Sequence, residues 1–302
     1  MKKRMSSIGT IIFLTIFVVS CRAQSAATPD IPMLTEPAEI DEPAIGLSLD
    51  TFVNMELISP QTGQTIQLVD GVYSNGDVDG GILAAGLLPQ AAFGDLTGDG
   101  LDDAVLLVSE NMGGSGVFVS LVAMVNTGNG FSQAGSYLVD DRPLINAISI
   151  NNNRIVMDAV IHNVNDSMAE PTMKVVEELS VSDHLFILRR LDSTISDAER
   201  TIVIDSPVDG EDVDATVHVK GSMPIAAFEN TLVYKIFDSS NNVIDQGPFM
   251  VSAADMGAPA TFDNTLVIPG AVSGMCYRIV LEETSMADGS TLCLNSVEVV
   301  MK

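Results

Sequence analysis

Tryptophan is absent from this chain, cysteine and histidine occur three times each, and aromatic residues make up only 5%. So thin an aromatic supply argues against a sugar-stacking cleft. The histidines, His162, His184 and His218, stand alone with no HExxH pair to hold a catalytic zinc. Each reads as a surface or strand-end residue. Basic residues are scarce too, 14 against 40 acidic, for a formal net charge of -26. A body so negative repels phosphate backbones, which argues against nucleic acid as a partner, and it repels anionic lipid headgroups as well. Long apolar runs are missing: residues 8–19 supply twelve positions, short of the roughly 20 that cross a hydrocarbon core.

What is present starts at that short run. Lys2, Lys3 and Arg4 precede it, and it stops at Val18-Val19-Ser20-Cys21, a small-residue site of the kind at which export signals are cut. The segment resembles a bacterial lipoprotein signal with its lipobox. That resemblance implies cleavage before Cys21, diacylglycerol on its thiol, and a mature chain held on the outer side of a membrane, inner or outer. One acyl chain binds marginally and two or more bind stably, so the lipid does the anchoring that the acidic body does not. Removal of residues 1–20 takes three basic residues and no acid, which makes the mature charge -29. Solubility and an affinity for divalent cations both account for such acidity.

Hydrophobic content of 46% is too high for a disordered chain, and about 280 mature residues are enough for two domains with their own cores. Residues 21–50, with Pro29, Pro32, Pro37 and Pro43 among alanines and acids, read as a flexible tether. Residues 51–192 read as a β-rich domain. Apolar stretches at 65–69, 104–108, 117–125, 145–150 and 154–160 are separated by Gly, Asn and Asp clusters. Asn151-Asn152-Asn153 predicts a hairpin turn, and residues 169–179 predict one helix.

The most chemical segment runs from Phe93 to Ala104. Asp95, Thr97, Asp99 and Asp103 place side-chain oxygens at loop positions 1, 3, 5 and 9, Leu101 offers a carbonyl at position 7, and Gly100 gives the sharp turn. A hard cation with six or seven oxygen ligands takes such a set. A helix-flanked loop would add a bidentate Glu at position 12, where Leu106 stands. The segment resembles the strand-loop-strand calcium loops of FG-GAP repeats. The resemblance implies a structural calcium held by Asp95, Thr97, Asp99, Leu101 and Asp103; the bland alternative is a solvated acidic turn. Asn75-Gly76-Asp77-Val78-Asp79-Gly80 repeats only the first positions and reads as a turn. Gly113-Gly114-Ser115-Gly116 lacks the glycine two residues after serine that a nucleophile elbow needs and the lysine that a phosphate loop needs, so it too reads as a turn. With Asp141-Arg142-Pro143, these segments resemble a domain of exported bacterial proteins.

After a polar stretch at 191–199, residues 200–302 predict a second domain of short strands at 202–204, 213–219, 232–237, 243–245, 262–268, 277–281 and 297–301. Seven such strands with no helical segment predict an immunoglobulin-like β-sandwich, with Asn241-Asn242 as a hairpin turn. Ile204 to Gly210, Val219-Lys220-Gly221, Ala227 to Leu232 and Ala287 to Ser290 resemble the Ig-like domain of bacterial spore-germination proteins. That resemblance implies an extracytoplasmic interaction or spacer module, with Pro207 ending a strand, Phe228 in the core and Asp288-Gly289 turning the last hairpin.

Cys276 and Cys293 remain as an even pair, which in an exported protein points to a disulfide. If they lie on the last two strands, however, strand rise holds them over roughly 20 Å apart. The expectation overall is a non-enzymatic lipoprotein of the bacterial cell envelope, mostly β, that binds an envelope protein or glycan. A cell-envelope hydrolase with a dispersed site and a subunit of a surface assembly docking by edge strands are the alternatives.

Overall fold

Short apolar runs broken by Gly, Asn and Asp produce an almost wholly β chain. The computed structural model describes residues 46–76, 84–182 and 185–302. A small hairpin pairs β1 (Glu56–Ile58) with β2 (Thr65–Gln67), and a five-stranded antiparallel sheet follows from β3 (Val72–Ser74), β4 (Ala84–Gly94), β5 (Asp103–Asn111), β6 (Phe118–Asn126) and β7 (Phe131–Asp141). The chain continues through β8 (Leu144–Asn151), β9 (Arg154–Ile161), β10 (Met173–Ser182), β11 (Leu185–Ile195) and β12 (Ala198–Arg200). The last third holds β13 (Val203–Ser206), β14 (Glu211–Val213), β15 (Thr216–Met223), β16 (Thr231–Phe237), β17 (Val243–Met250), β18 (Ser252–Ala253), β19 (Ala260–Val267), β20 (Cys276–Thr284) and β21 (Thr291–Met301).

The five-stranded sheet is covered on both faces. Val105, Leu107, Leu121 and Ala123 point one way, into a core completed by Met157, Val175 and Leu179 of β9 and β10. Leu106, Val108, Val122 and Met124 point the other way, against Phe52, Leu57, Ile66 and Leu68. Burial on both sides is why residues 104–108 read as an unbroken apolar run rather than an alternating one.

The C-terminal segment is an Ig-like sandwich. One sheet runs β13-β15-β19-β18; facing it are β17-β16-β20-β21, with Phe249 and Phe262 edge to face in the core. The predicted run at 213–219 divides: β14 pairs in parallel with β21, and β15 joins the opposite sheet. Gly221 lies where β13 crosses β15 so closely that an added Cβ would sit 1.9 Å from the Val203 carbonyl oxygen, so only glycine fits. Phe228, expected in the core, is 54% exposed, because it falls in a short turn before β16 and not on an inward strand position.

The two halves share a sheet. Through Arg190↔Asn295 and Leu191↔Leu294, β11 pairs with β21, so a ten-stranded sheet runs β17-β16-β20-β21-β11-β10-β9-β8, with β12 beside β11 and β14 beside β21. Side chains alternate faces along a strand. On β20, Ile279 and Leu281 enter the Ig-like core while Val280 enters the core of the first half. The helix expected at 169–179 is instead the strand β10, whose burial pattern alternates with period two from Met173.

Candidate functional site

In the acidic loop after β4, positive φ at Gly98 and Gly100 lets the chain fold back on Asp95. Its Oδ1 accepts the Gly98 N–H at 2.6 Å and its Oδ2 that of Gly100 at 2.9 Å. These bonds, that from Gly100 foremost, hold the Asp95 carboxyl below its usual range. Asp99 accepts the Leu101 N–H at 2.9 Å. Asp103 behaves differently: it is fully buried, with Oδ2 accepting N–H from Leu96 (2.8 Å) and Thr97 (3.1 Å) and Oδ1 accepting N–H from Asn126 (2.8 Å). It staples the loop to β5 and to the end of β6. Asp95 stays half-buried, and Thr97, Asp99 and Leu101 are exposed. Among the described residues, no three His, Cys, Asp or Glu side chains gather where they could hold a metal ion. The loop's shape rests on N–H to carboxylate bonds.

The expected disulfide is not formed: both Cys276 and Cys293 are free. Cys276 opens β20 opposite Val300, whereas Cys293 faces Glu283 at the other end of the hairpin. That spacing along the strand, roughly 23 Å at strand rise, far exceeds the ~7 Å a disulfide tolerates between Cα atoms. Cys293 is buried with its Sγ 3.5 Å from Glu283 Oε2, and burial pushes its thiol well above the ordinary range. His162 closes β9 with its Nδ1 2.8 Å from Asp140 Oδ2, and His218 is an exposed strand residue beside Thr265. Cys21, His184 and most of the turn at 75–80 lie outside the described residues.

A cleft of about 320 Å³ opens on the shared sheet, where the Asn152–Arg154 turn, the ends of β10 and β11, the β16–β17 turn and β20 meet. Three of the chain's few basic residues line it: Arg154, Arg189 and Arg278. Arg154 pairs with Asp209 at 2.5 Å, and Arg189, 3% exposed, pairs with Glu298. Arg278, 8% exposed, has its guanidinium carbon 4.1 Å from the Phe237 ring centroid and donates to Asn241 Oδ1 at 2.6 Å. The β16–β17 turn fixes that amide: Asp238 accepts the Ser240 and Asn242 N–H groups, and Asn241 takes a left-handed φ of 59°. Burial foremost, and then the Arg189 charge, push the Arg278 pKa down to about 10. It remains a cation at neutral pH.

Residues 201–290 match the family model of the immunoglobulin-like domain of bacterial spore germination. No curated protein and no solved structure matches the chain. The matched segment is less than a third of the sequence and contributes β16, β20 and the β16–β17 turn to the cleft. Its fold is of a non-catalytic type, that of a binding or structural module, and it points to an extracytoplasmic setting. Among the described residues no helix is long and apolar enough to cross a membrane.

Sequence reasoning did not assemble this cleft, because its residues come from segments centred near 153, 181, 240, 277 and 298. One signal was available. Arg278 interrupts the apolar strand Tyr277-Arg278-Ile279-Val280-Leu281, where a solvated position in so acidic a chain would ordinarily hold an acid.

Proposed function

We propose that this protein is a non-enzymatic lipoprotein of the bacterial cell envelope, tethered through lipid on Cys21, that presents a β body as a binding or structural module to an envelope protein or glycan. The Ig-like segment at residues 201–290 carries the module part of the reading. The basic residues 2–4, the short apolar run and Val-Val-Ser-Cys support the tether. Membrane fractionation tests it. Wild type partitions with membranes and Cys21→Ser moves to the soluble fraction; retention of the variant on membranes would sink the tether.

Calcium at the acidic loop is a second proposal. Asp95, Thr97, Asp99 and the Leu101 carbonyl would be its ligands, with Asp103 held inward as the staple. So few oxygens, with both of those of Asp95 already accepting N–H bonds, would make a weak, extracellular type of site at about 10⁻⁴ to 10⁻³ M. A ligand that binds only the folded state raises the melting temperature. Calcium is expected to do so for wild type and not for Asp99→Ala, and an equal rise in both would place the ion elsewhere.

A further inference from the structure

Five of the six arginines in the described residues face a carboxylate: Arg142 with Asp141, Arg154 with Asp209, Arg189 with Glu298, Arg190 with Asp192 and Arg200 with Glu283. Arg278 has none among the described residues; its partners are a neutral amide and an aromatic face. Glu298 stands opposite Arg278 across β20 and β21 and its charge favours the cation, but its oxygen is held by Arg189, so Arg278 is a buried cation with no ion pair of its own, a costly arrangement in a chain with 40 acids. The two acids that line the same cleft are engaged elsewhere: Glu298 by Arg189, and Asp238 by N–H groups of its own turn. Beside it, Arg189 is 3% exposed and its Nε has no partner.

We propose that this cleft is a receptor for a carboxylate group, with the Arg278 guanidinium as the residue that takes the anionic head. Guanidinium presents paired N–H donors that match the two oxygens of a carboxylate. Phosphate has the same oxygen geometry but carries more charge, and a body of -26 penalises a dianion about twice as much as a monoanion. The cleft, at about 320 Å³, admits a small acid or the end of a chain and not a long polymer. Val181, Ile187 and Tyr277 line it as well and give an attached body something apolar to rest on. A free organic acid and the C-terminus of a peptide share this chemistry. The inference deepens the binding reading above and rests on it.

Isothermal titration of the full chain in a non-ionic detergent tests the proposal, with four probes: acetate, N-acetyl-alanyl-alanine, its C-terminal amide, and inorganic phosphate. The free-acid dipeptide is expected to bind about tenfold or more tighter than its amide and tighter than phosphate, since the charge-assisted pair is lost with the amide. Acetate binding as tightly as the dipeptide supports a free acid as ligand; tighter dipeptide binding supports a chain end. Arg278→Lys keeps the charge and loses the planar fork, so affinity should fall about tenfold with the circular dichroism spectrum unchanged. Should that variant unfold, Asn241→Gly, which keeps the left-handed backbone of the turn and removes the amide holding the guanidinium, should weaken binding several-fold. No binding of either acid, equal binding of acid and amide, tighter binding of phosphate, or full affinity in Arg278→Lys would overturn the proposal. None of those results touches fractionation of Cys21→Ser, so failure here and failure of the tether are distinguishable.

Discussion

Asp103 and Asp99 stand four positions apart in one acidic loop and do different work. Asp103 is buried with three backbone N–H donors on its two oxygens, so truncation to Ala leaves one buried and two part-buried donors unpaired. At ~1–3 kcal/mol for a buried orphaned group and less for the two that water can reach, Asp103→Ala should cost about 2–4 kcal/mol in urea denaturation. Asp99→Ala removes one exposed turn bond and should cost below about 1 kcal/mol in calcium-free buffer. Equal losses would contradict the staple. Glu177 on β10 gives a pH signature: it is buried, accepts the Tyr137 hydroxyl at 3.3 Å, has no partner for Oε2, and burial raises its pKa from 4.5 to about 7. Between those values the unfolded chain has lost the proton that the folded chain keeps. Stability therefore falls as pH rises from about 4.5 to about 7 and levels above it, by on the order of 3 kcal/mol. Glu177→Gln should flatten that fall, and parallel profiles for variant and wild type would refute the assignment.

Among the elements, hairpins were the most legible. The turn between β8 and β9 needs left-handed backbone at two residues, and Asn152 and Asn153 supply it with φ of 50° and 60°. The strand β10 reads as helix in the sequence because Glu177 occupies a core-facing position in Met173, Val175, Glu177, Leu179. An acid on the inward side hides a period-two pattern, and the adjoining Glu178 and Leu179 favour helix by propensity. Cleft residues were illegible for a different reason: five separate segments meet only once the sheet forms. The last hairpin predicts thiol behaviour. Cys276 is exposed and should react with maleimide in the native state, whereas Cys293, buried with its thiolate disfavoured, should react only on unfolding. A melting temperature lowered by dithiothreitol would restore the disulfide and contradict the register of β20 and β21.

At the scale of the whole molecule, the sequence boundary near residue 200 is crossed by physical bonds. Ser296 Oγ donates to the Arg189 carbonyl and Ser193 Oγ to that of Leu292, while Arg189 pairs with Glu298. Val280 and Leu294 complete the core of the other half. Residues 200–302 expressed alone should therefore melt below the full chain, and calorimetry of the full chain should show one cooperative transition; two well-separated transitions would mean independent halves. In the proposed function Cys21 is the residue that would keep this acidic β body at the envelope. The most direct measurement is mass spectrometry of the N-terminal peptide of the protein isolated from its own cells. The account predicts a chain that begins at Cys21 and carries diacylglycerol on its sulfur. A peptide that still contains residues 2–20, or one with an unmodified Cys21, would contradict it.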